Sequence, residues 1–124
     1  MNVPADLKYT GTHEWIRQHE KEAEIGITDY AQSEMGDIVF VELPQVGMEL
    51  SKGQECAVIE SVKTASDLYA PITGKVSAVN NELEANPSLI NNDAFGKGWI
   101  FKLTVKDSSE INELLDSTSY ENQL

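Results

Sequence analysis

A chain of 124 residues with 40% hydrophobic residues is sized for one domain with a hydrophobic core of its own. Its nine basic residues face twenty-one acidic ones, and the formal net charge of −12 opposes binding to nucleic acid or to an anionic membrane surface, so neither is an expected partner. The single cysteine, Cys56, excludes an internal disulfide, and no segment has the apolar length of a membrane span.

The opening residues, Met1-Asn2-Val3-Pro4-Ala5-Asp6, have neither a basic stretch before an apolar run nor an arginine-rich pattern. That reads as a protein of the prokaryotic cytoplasm, or as a mature mitochondrial form. His13-Glu14-Trp15-Ile16-Arg17 reads as a strand, residues 18–21 as a turn and Ala23-Glu24-Ile25-Gly26-Ile27 as a second strand, together a hairpin. A short helix opens at residues 28–32, with Asp29 and Gln32 in capping-box spacing and Thr28 as a second N-cap candidate. Gly36 is placed to end it in a left-handed conformation. Ile38-Val39-Phe40-Val41 is apolar and β-branched and reads as a buried strand, residues 43–47 as a loop and Lys52-Gly53 as a turn.

Strands at residues 56–62 and 68–70 flank Lys63-Thr64-Ala65, and Pro71-Ile72-Thr73-Gly74 is a turn signal. Residues 75–79 alternate as a strand. Residues 80–93 are polar, with a brief helical turn expected at Asn86-Pro87 and the proline at its first position. Residues 99–105 form the clearest strand. From residue 107 the pattern changes: Asp107 and Glu110 have capping form, and Ile111, Leu114 and Leu115 recur on one helical face. Residues 107–124 therefore read as a C-terminal helix with a frayed acidic tail. Trp15, Phe40 and Trp99 read as core, and Cys56 as a buried small hydrophobe. Many short strands at close spacing predict a mainly β fold, a small barrel or sandwich with peripheral helices, as a single domain over residues 1–124.

Catalytic signatures are scarce. His13-Glu14 lacks the second histidine of a zinc-protease motif, and His13, His19 and Cys56 do not make a sulfur and imidazole zinc site. Gly74-Lys75 lacks the upstream glycine and following hydroxyl of a phosphate loop, and no Gly-x-Ser-x-Gly elbow occurs. The many carboxylates leave a catalytic pair open, but nothing assembles a nucleophile, base and stabiliser, so a non-enzyme is expected. The segment that stands out runs from Val58 to Gly74. It places Lys63 between two apolar strands, at or beside a hairpin tip. An exposed turn lysine can simply solubilise the turn. It is also suited to hold a group through an amide, having a long flexible stem and an amine that is nucleophilic once deprotonated.

Glu60-Ser61-Val62-Lys63, with Ala65-Ser66-Asp67 and Pro71-Ile72-Thr73-Gly74, resembles the lipoyl-attachment segment of glycine cleavage H-proteins. Biotin carriers tend to place methionine on both sides of the lysine, and lipoyl domains of 2-oxoacid dehydrogenases usually place aspartate before it; Lys63 has Val62 and Thr64. The resemblance extends over most of the chain, through Leu7-Lys8-Tyr9, His13-Glu14-Trp15, residues 25–32, residues 36–44, Leu89-Ile90-Asn91 and Gly98-Trp99.

The resemblance implies a lipoyl/biotinyl-carrier-like flattened β barrel-sandwich hybrid. It implies lipoic acid bound covalently as N6-lipoyllysine at Lys63, with Glu60 and Gly74 serving hairpin recognition or geometry; Gly74 also reads as a plain turn glycine. It implies a carrier that takes the aminomethyl group of glycine from a pyridoxal-phosphate glycine decarboxylase (P-protein) to a tetrahydrofolate-dependent aminomethyltransferase (T-protein). Dihydrolipoyl dehydrogenase (L-protein) reoxidises it, and a lipoylating enzyme loads it. Glu14, Asp67 and Thr12 match positions associated with a pocket for the loaded arm. Solvated acids and a turn hydroxyl are the plain alternatives. Donation of lipoyl groups to other lipoyl proteins is the alternative function within the same class.

Overall fold

Alternation builds the first hairpin. Ile16 pairs with Ile25 and turns inward, while Arg17 pairs with Glu24 and ties to it through a 2.7 Å ion pair on the outer side. The computed structural model describes residues 2–124. In chain order the elements are β1 (Lys8–Tyr9), β2 (Glu14–His19), β3 (Glu22–Ile27), α1 (Asp29–Met35), β4 (Ile38–Glu42), β5 (Glu49–Leu50), β6 (Glu55–Ser61) and β7 (Ala65–Tyr69). Then follow β8 (Gly74–Val79), α2 (Glu82–Ala85), α3 (Leu89–Asn92), β9 (Phe101–Val105), α4 (Ser109–Asn112) and α5 (Ser117–Asn122). One sheet has the order β1-β2-β3-β9-β8-β5 and the other β4-β6-β7, and every pairing is antiparallel. This is the expected flattened barrel-sandwich, with short helices at its margins and a C-terminal helix.

The main core lies between the sheets. Ile16, Ile25, Val76, Phe101 and Leu103 from the larger meet Ile38, Val41, Ala57, Ile59 and Leu68 from the smaller, and Leu83 of α2 and Ile90 of α3 fill the margin. A second cluster of Leu7, Tyr9, Trp15 and Tyr120 covers the outer face of β2. Gly26, opposite Trp15, makes room for the indole, since a Cβ there would stand 2.7 Å from its ring atoms. The indole N–H donates to the Ala94 carbonyl at 2.9 Å.

Several local expectations need correction. His13 lies outside the strand with φ 73°, and β2 runs on to His19, so the reversal falls at Glu20 with φ 55°. Thr28, rather than Asp29, caps α1 by accepting from the Ala31 N–H; Asp29 instead accepts from the Gln32 side chain. Gly36 has the positive φ required, 81°, but ψ of −156° takes it out of the left-handed helical basin. β4 is only half a buried strand. A bulge between Ile38 and Phe40 turns Val39 and Phe40 outward, each 51% exposed, so Phe40 is not core. Trp99 and Cys56 are half-buried against the core clusters. Pro87 precedes α3 rather than starting it.

The C-terminal stretch holds two short helices. Leu115 leaves helical geometry to exchange two 2.8 Å backbone bonds with Tyr9, and Asp116 then caps α5. The end is not frayed at Tyr120, which is fully buried and stacks on Tyr9 at 4.7 Å. Among the described residues, no helix is long and apolar enough to cross a membrane.

Candidate functional site

Ser61, Val62, Lys63 and Thr64 make the connection between β6 and β7. The Ser61 N–H donates to the Thr64 carbonyl at 2.8 Å, and the Ser61 hydroxyl accepts from the N–H groups of Lys63 and Thr64 at 3.2 and 3.1 Å. A side-chain oxygen that takes two turn N–H groups fixes the loop locally. The Val62 N–H donates to the Asp37 carbonyl at 3.0 Å, which ties the turn to the link between α1 and β4. Lys63 is exposed and belongs to none of the ion pairs found among the described residues. Its stem lies across Gly36: a Cβ there would stand 3.1 Å from Lys63 Cε. Glu60, also exposed, sits between Phe40 and Ala65 on the outer face of the smaller sheet.

Asn91 holds this corner together. Its amide donates to the Gly36 carbonyl and to the Gln32 side chain, both at 2.9 Å, and its oxygen accepts from the Ile38 N–H at 2.9 Å. One side chain thereby sets the course of residues 36–38, against which the lysine turn rests.

A cleft of about 300 Å³ opens along α1. Its apolar wall is Ile27, Ala31, Met35 and Leu68, and its polar groups include Thr12, Glu14, Tyr30, Glu34 and Asp67. α1 thus connects the two places, with Gly36 at its end under the Lys63 stem and its side chains along the cleft.

Glu14 is the unusual group here. It is 1% exposed, yet no cation pairs with it among the described residues. Oε1 accepts from the hydroxyls of Thr10 and Thr12, and Oε2 lies 3.4 Å from the Tyr69 N–H. Burial pushes its carboxyl above the usual carboxylate range, against the pull of those donors. His13 lines the same cleft and shares a 2.8 Å hydrogen bond with the Tyr120 hydroxyl, which meets Thr28 at 2.7 Å. Burial holds its imidazole below the usual range.

A profile of the family described as "Glycine cleavage H-protein" matches residues 7–124. The chain belongs to the glycine cleavage H-protein family. The glycine cleavage system H protein of Shewanella woodyi is 54% identical over 121 residues, spanning 97% of this chain and 94% of that one. Its counterpart from Shewanella frigidimarina is 54% identical over 120 residues, 96% and 93% of the two chains. A crystal structure of the Mycobacterium marinum glycine cleavage system H protein superposes with a TM-score of 0.90 at 37% identity, covering 98% of each chain. Membership supports a lipoyl-carrier role in the glycine cleavage system, in company with that system's other components.

The H-protein fold brings some of the expected residues together and separates others. Thr12, Glu14 and Asp67 share the one cleft, although Asp67 stands at its rim and also borders a depression at the foot of the smaller sheet. Lys63 and Glu60 share the hairpin. Gly74 lies in the other sheet and has no turn role: it opens β8, where it pairs with Leu50 and Val105. A Cβ at Gly74 would stand 2.5 Å from the Thr104 carbonyl oxygen. Gly74→Ala is accordingly expected to cost about 1–3 kcal/mol, read as a lower urea midpoint at unchanged m-value. An unaltered midpoint would disprove the close approach. Asn91 and His13 are the residues sequence reasoning missed as site members. Each acts through tertiary bonds that leave no local pattern.

Proposed function

We propose that this chain, as one domain over residues 1–124 closed by the two short helices α4 and α5, carries lipoic acid as N6-lipoyllysine at Lys63. In that reading it shuttles the aminomethyl group of glycine from glycine decarboxylase to the aminomethyltransferase, and dihydrolipoyl dehydrogenase reoxidises it. It does no bond chemistry alone and works in the bacterial cytoplasm; the two Shewanella relatives named above are bacterial. The observation that carries the reading is the joining of an exposed lysine, by way of α1, to a cleft whose polar end is a buried carboxylate with no cation paired to it among the described residues.

The residues suit such a group. When bound, the lipoyl ring supplies a reversible disulfide that accepts the one-carbon unit. Ser61 and the Val62 N–H hold the turn, so motion is confined to the side chain beyond the Lys63 backbone. Ile27, Ala31, Met35 and Leu68 offer methylene-length apolar contact. Glu14 offers a charge-assisted hydrogen bond to an ammonium, with Thr12 beside it and Asp67 at the rim adding negative potential. Glu60 projects next to the hairpin, where a lipoylating enzyme would read it.

The test is intact mass after incubation with lipoate, ATP and a lipoate ligase, followed by mapping of the modified peptide. One lipoyl amide on Lys63 is expected. Folded protein left unmodified, beside a known acceptor that is modified, would overturn the proposal.

A further inference from the structure

Among the described residues no strand or helix packs across the outer face of the β4-β6-β7 sheet, which the 43–48 loop and α2 only border. Phe40, Glu60 and Ala65 stand in one cross-strand row, and Glu42, Val58 and Asp67 in the next. The bulge in β4 adds Val39 to the exposed apolar surface, and Val62, 68% exposed, stands at the hairpin tip. Val39 and Phe40 in β4 and Val62 next to Lys63 are thus exposed apolar side chains at the hairpin end of this sheet. Glu42, Glu60 and Asp67 share the face, and none of the three is ion-paired among the described residues. An exposed phenylalanine within a carboxylate frame is an anchor in search of an apolar socket with basic sides.

We infer that this face is the docking surface for the enzyme that acylates Lys63, and that Phe40 is its anchor, seated in an apolar socket rimmed by lysine or arginine. The inference rests on the reading of Lys63 as the attachment site. Reach selects this partner over the others. An enzyme that forms the amide must bring its activated acyl group to Nζ at the end of a bare four-carbon stem. That stem is folded across Gly36, where α1 leads into β4. The acylating enzyme therefore has to close onto the β4 side of the hairpin, against Val62 and Phe40. Enzymes acting on the loaded arm reach its ring across the stem and the acyl chain together, and can stand further off.

The test is steady-state lipoylation of the full chain by a lipoate ligase at varied carrier concentration, read by intact mass. Phe40→Ser and Glu42→Lys are compared with wild type, with melting temperature as the check on folding. Each variant is expected to raise KM about tenfold or more, an anchor-sized loss, with kcat retained at saturation and the lipoyl group still on Lys63. Equal kcat/KM for wild type and both variants would overturn the docking surface while leaving Lys63 as attachment site. Absence of lipoylation in folded wild type would overturn the attachment reading itself. Two further outcomes also overturn the inference. Normal loading with slowed glycine–bicarbonate exchange would hand the face to the decarboxylase, and a dimer dissolved by Phe40→Ser would hand it to a second copy.

Discussion

Lys63→Arg should abolish lipoylation and reduce glycine–bicarbonate exchange to the level seen without carrier, while the melting temperature stays at the wild-type value. Arginine keeps the positive charge at an exposed turn that has no ion pair to lose among the described residues, and substitutions of that kind leave stability nearly unchanged. The turn itself is built from the Ser61 hydroxyl, the Ser61 and Val62 N–H groups and the Thr64 and Asp37 carbonyls, none of which depends on the side chain at 63. Chemistry is where the two residues part. A lysine amine becomes a nucleophile when it sheds a proton, whereas a guanidinium stays protonated at any accessible pH and does not form the amide. The loss should be all-or-none, because tethering is the source of the carrier's advantage: a linked group meets each partner's site at an effective concentration that free lipoate does not match. Exchange supported at wild-type level by the arginine variant would remove Lys63 from the role.

The exposed place of Lys63 in the β6–β7 connection was readable in the sequence because its signal is local: a lysine between two apolar strands. The β2–β3 hairpin, α1, β8 and β9 were readable for the same reason, through alternation or a cap within a few residues. What escaped was set by partners far along the chain. β5 has only two residues, too few to show a period, and exists because Glu49 and Leu50 pair with Lys75 and Gly74. Leu115 and Leu114 stand at helical spacing from Ile111, but the pairing of Leu115 with Tyr9 outweighs one more turn of a short helix. Phe40 reads as core in any unbroken strand; a bulge of one residue moves it to the other face, and nothing in Ile38-Val39-Phe40-Val41 announces the bulge.

The same division runs through the site. Thr12 and Glu14 meet Asp67 in the cleft although some fifty positions separate them in sequence, and only the family resemblance hinted at their association. His13, Tyr30 and Glu34 join the cleft without any hint. The C-terminal helix has a part in this that its sequence does not suggest: Tyr120 bonds to both His13 and Thr28, so α5 braces the turn that leads into Glu14 and the cap that starts α1.

Glu14→Gln should release the aminomethyl group about tenfold to a hundredfold faster from the loaded carrier and, at neutral pH, make the apoprotein more stable. The first effect is the loss of a charge-assisted hydrogen bond to a buried ammonium, worth about 1.5–3 kcal/mol. A carboxylate beside the amine favours its protonated form; an amide does not. The second effect follows from linkage. Burial raises the folded-state carboxyl above its unfolded value, so the folded protein binds the proton more tightly than the unfolded chain does. Below the unfolded value both states are protonated and nothing is lost. As pH rises through the folded-state value, the native protein must hold a buried charge that has no counterion among the described residues, and stability falls. Glutamine is neutral throughout and nearly isosteric, and its oxygen can still accept from Thr10 and Thr12. The gain in melting temperature should therefore be present at pH 7–8 and fade as pH falls toward the ordinary glutamate range. A loaded carrier that decays at the wild-type rate would take Glu14 out of the pocket. A stability gain of the same size at every pH would mean that packing, rather than charge, limits the fold at this position. Decay accelerated together with a pH-dependent gain would mark Glu14 as a residue kept at a cost to the fold for the cation it receives.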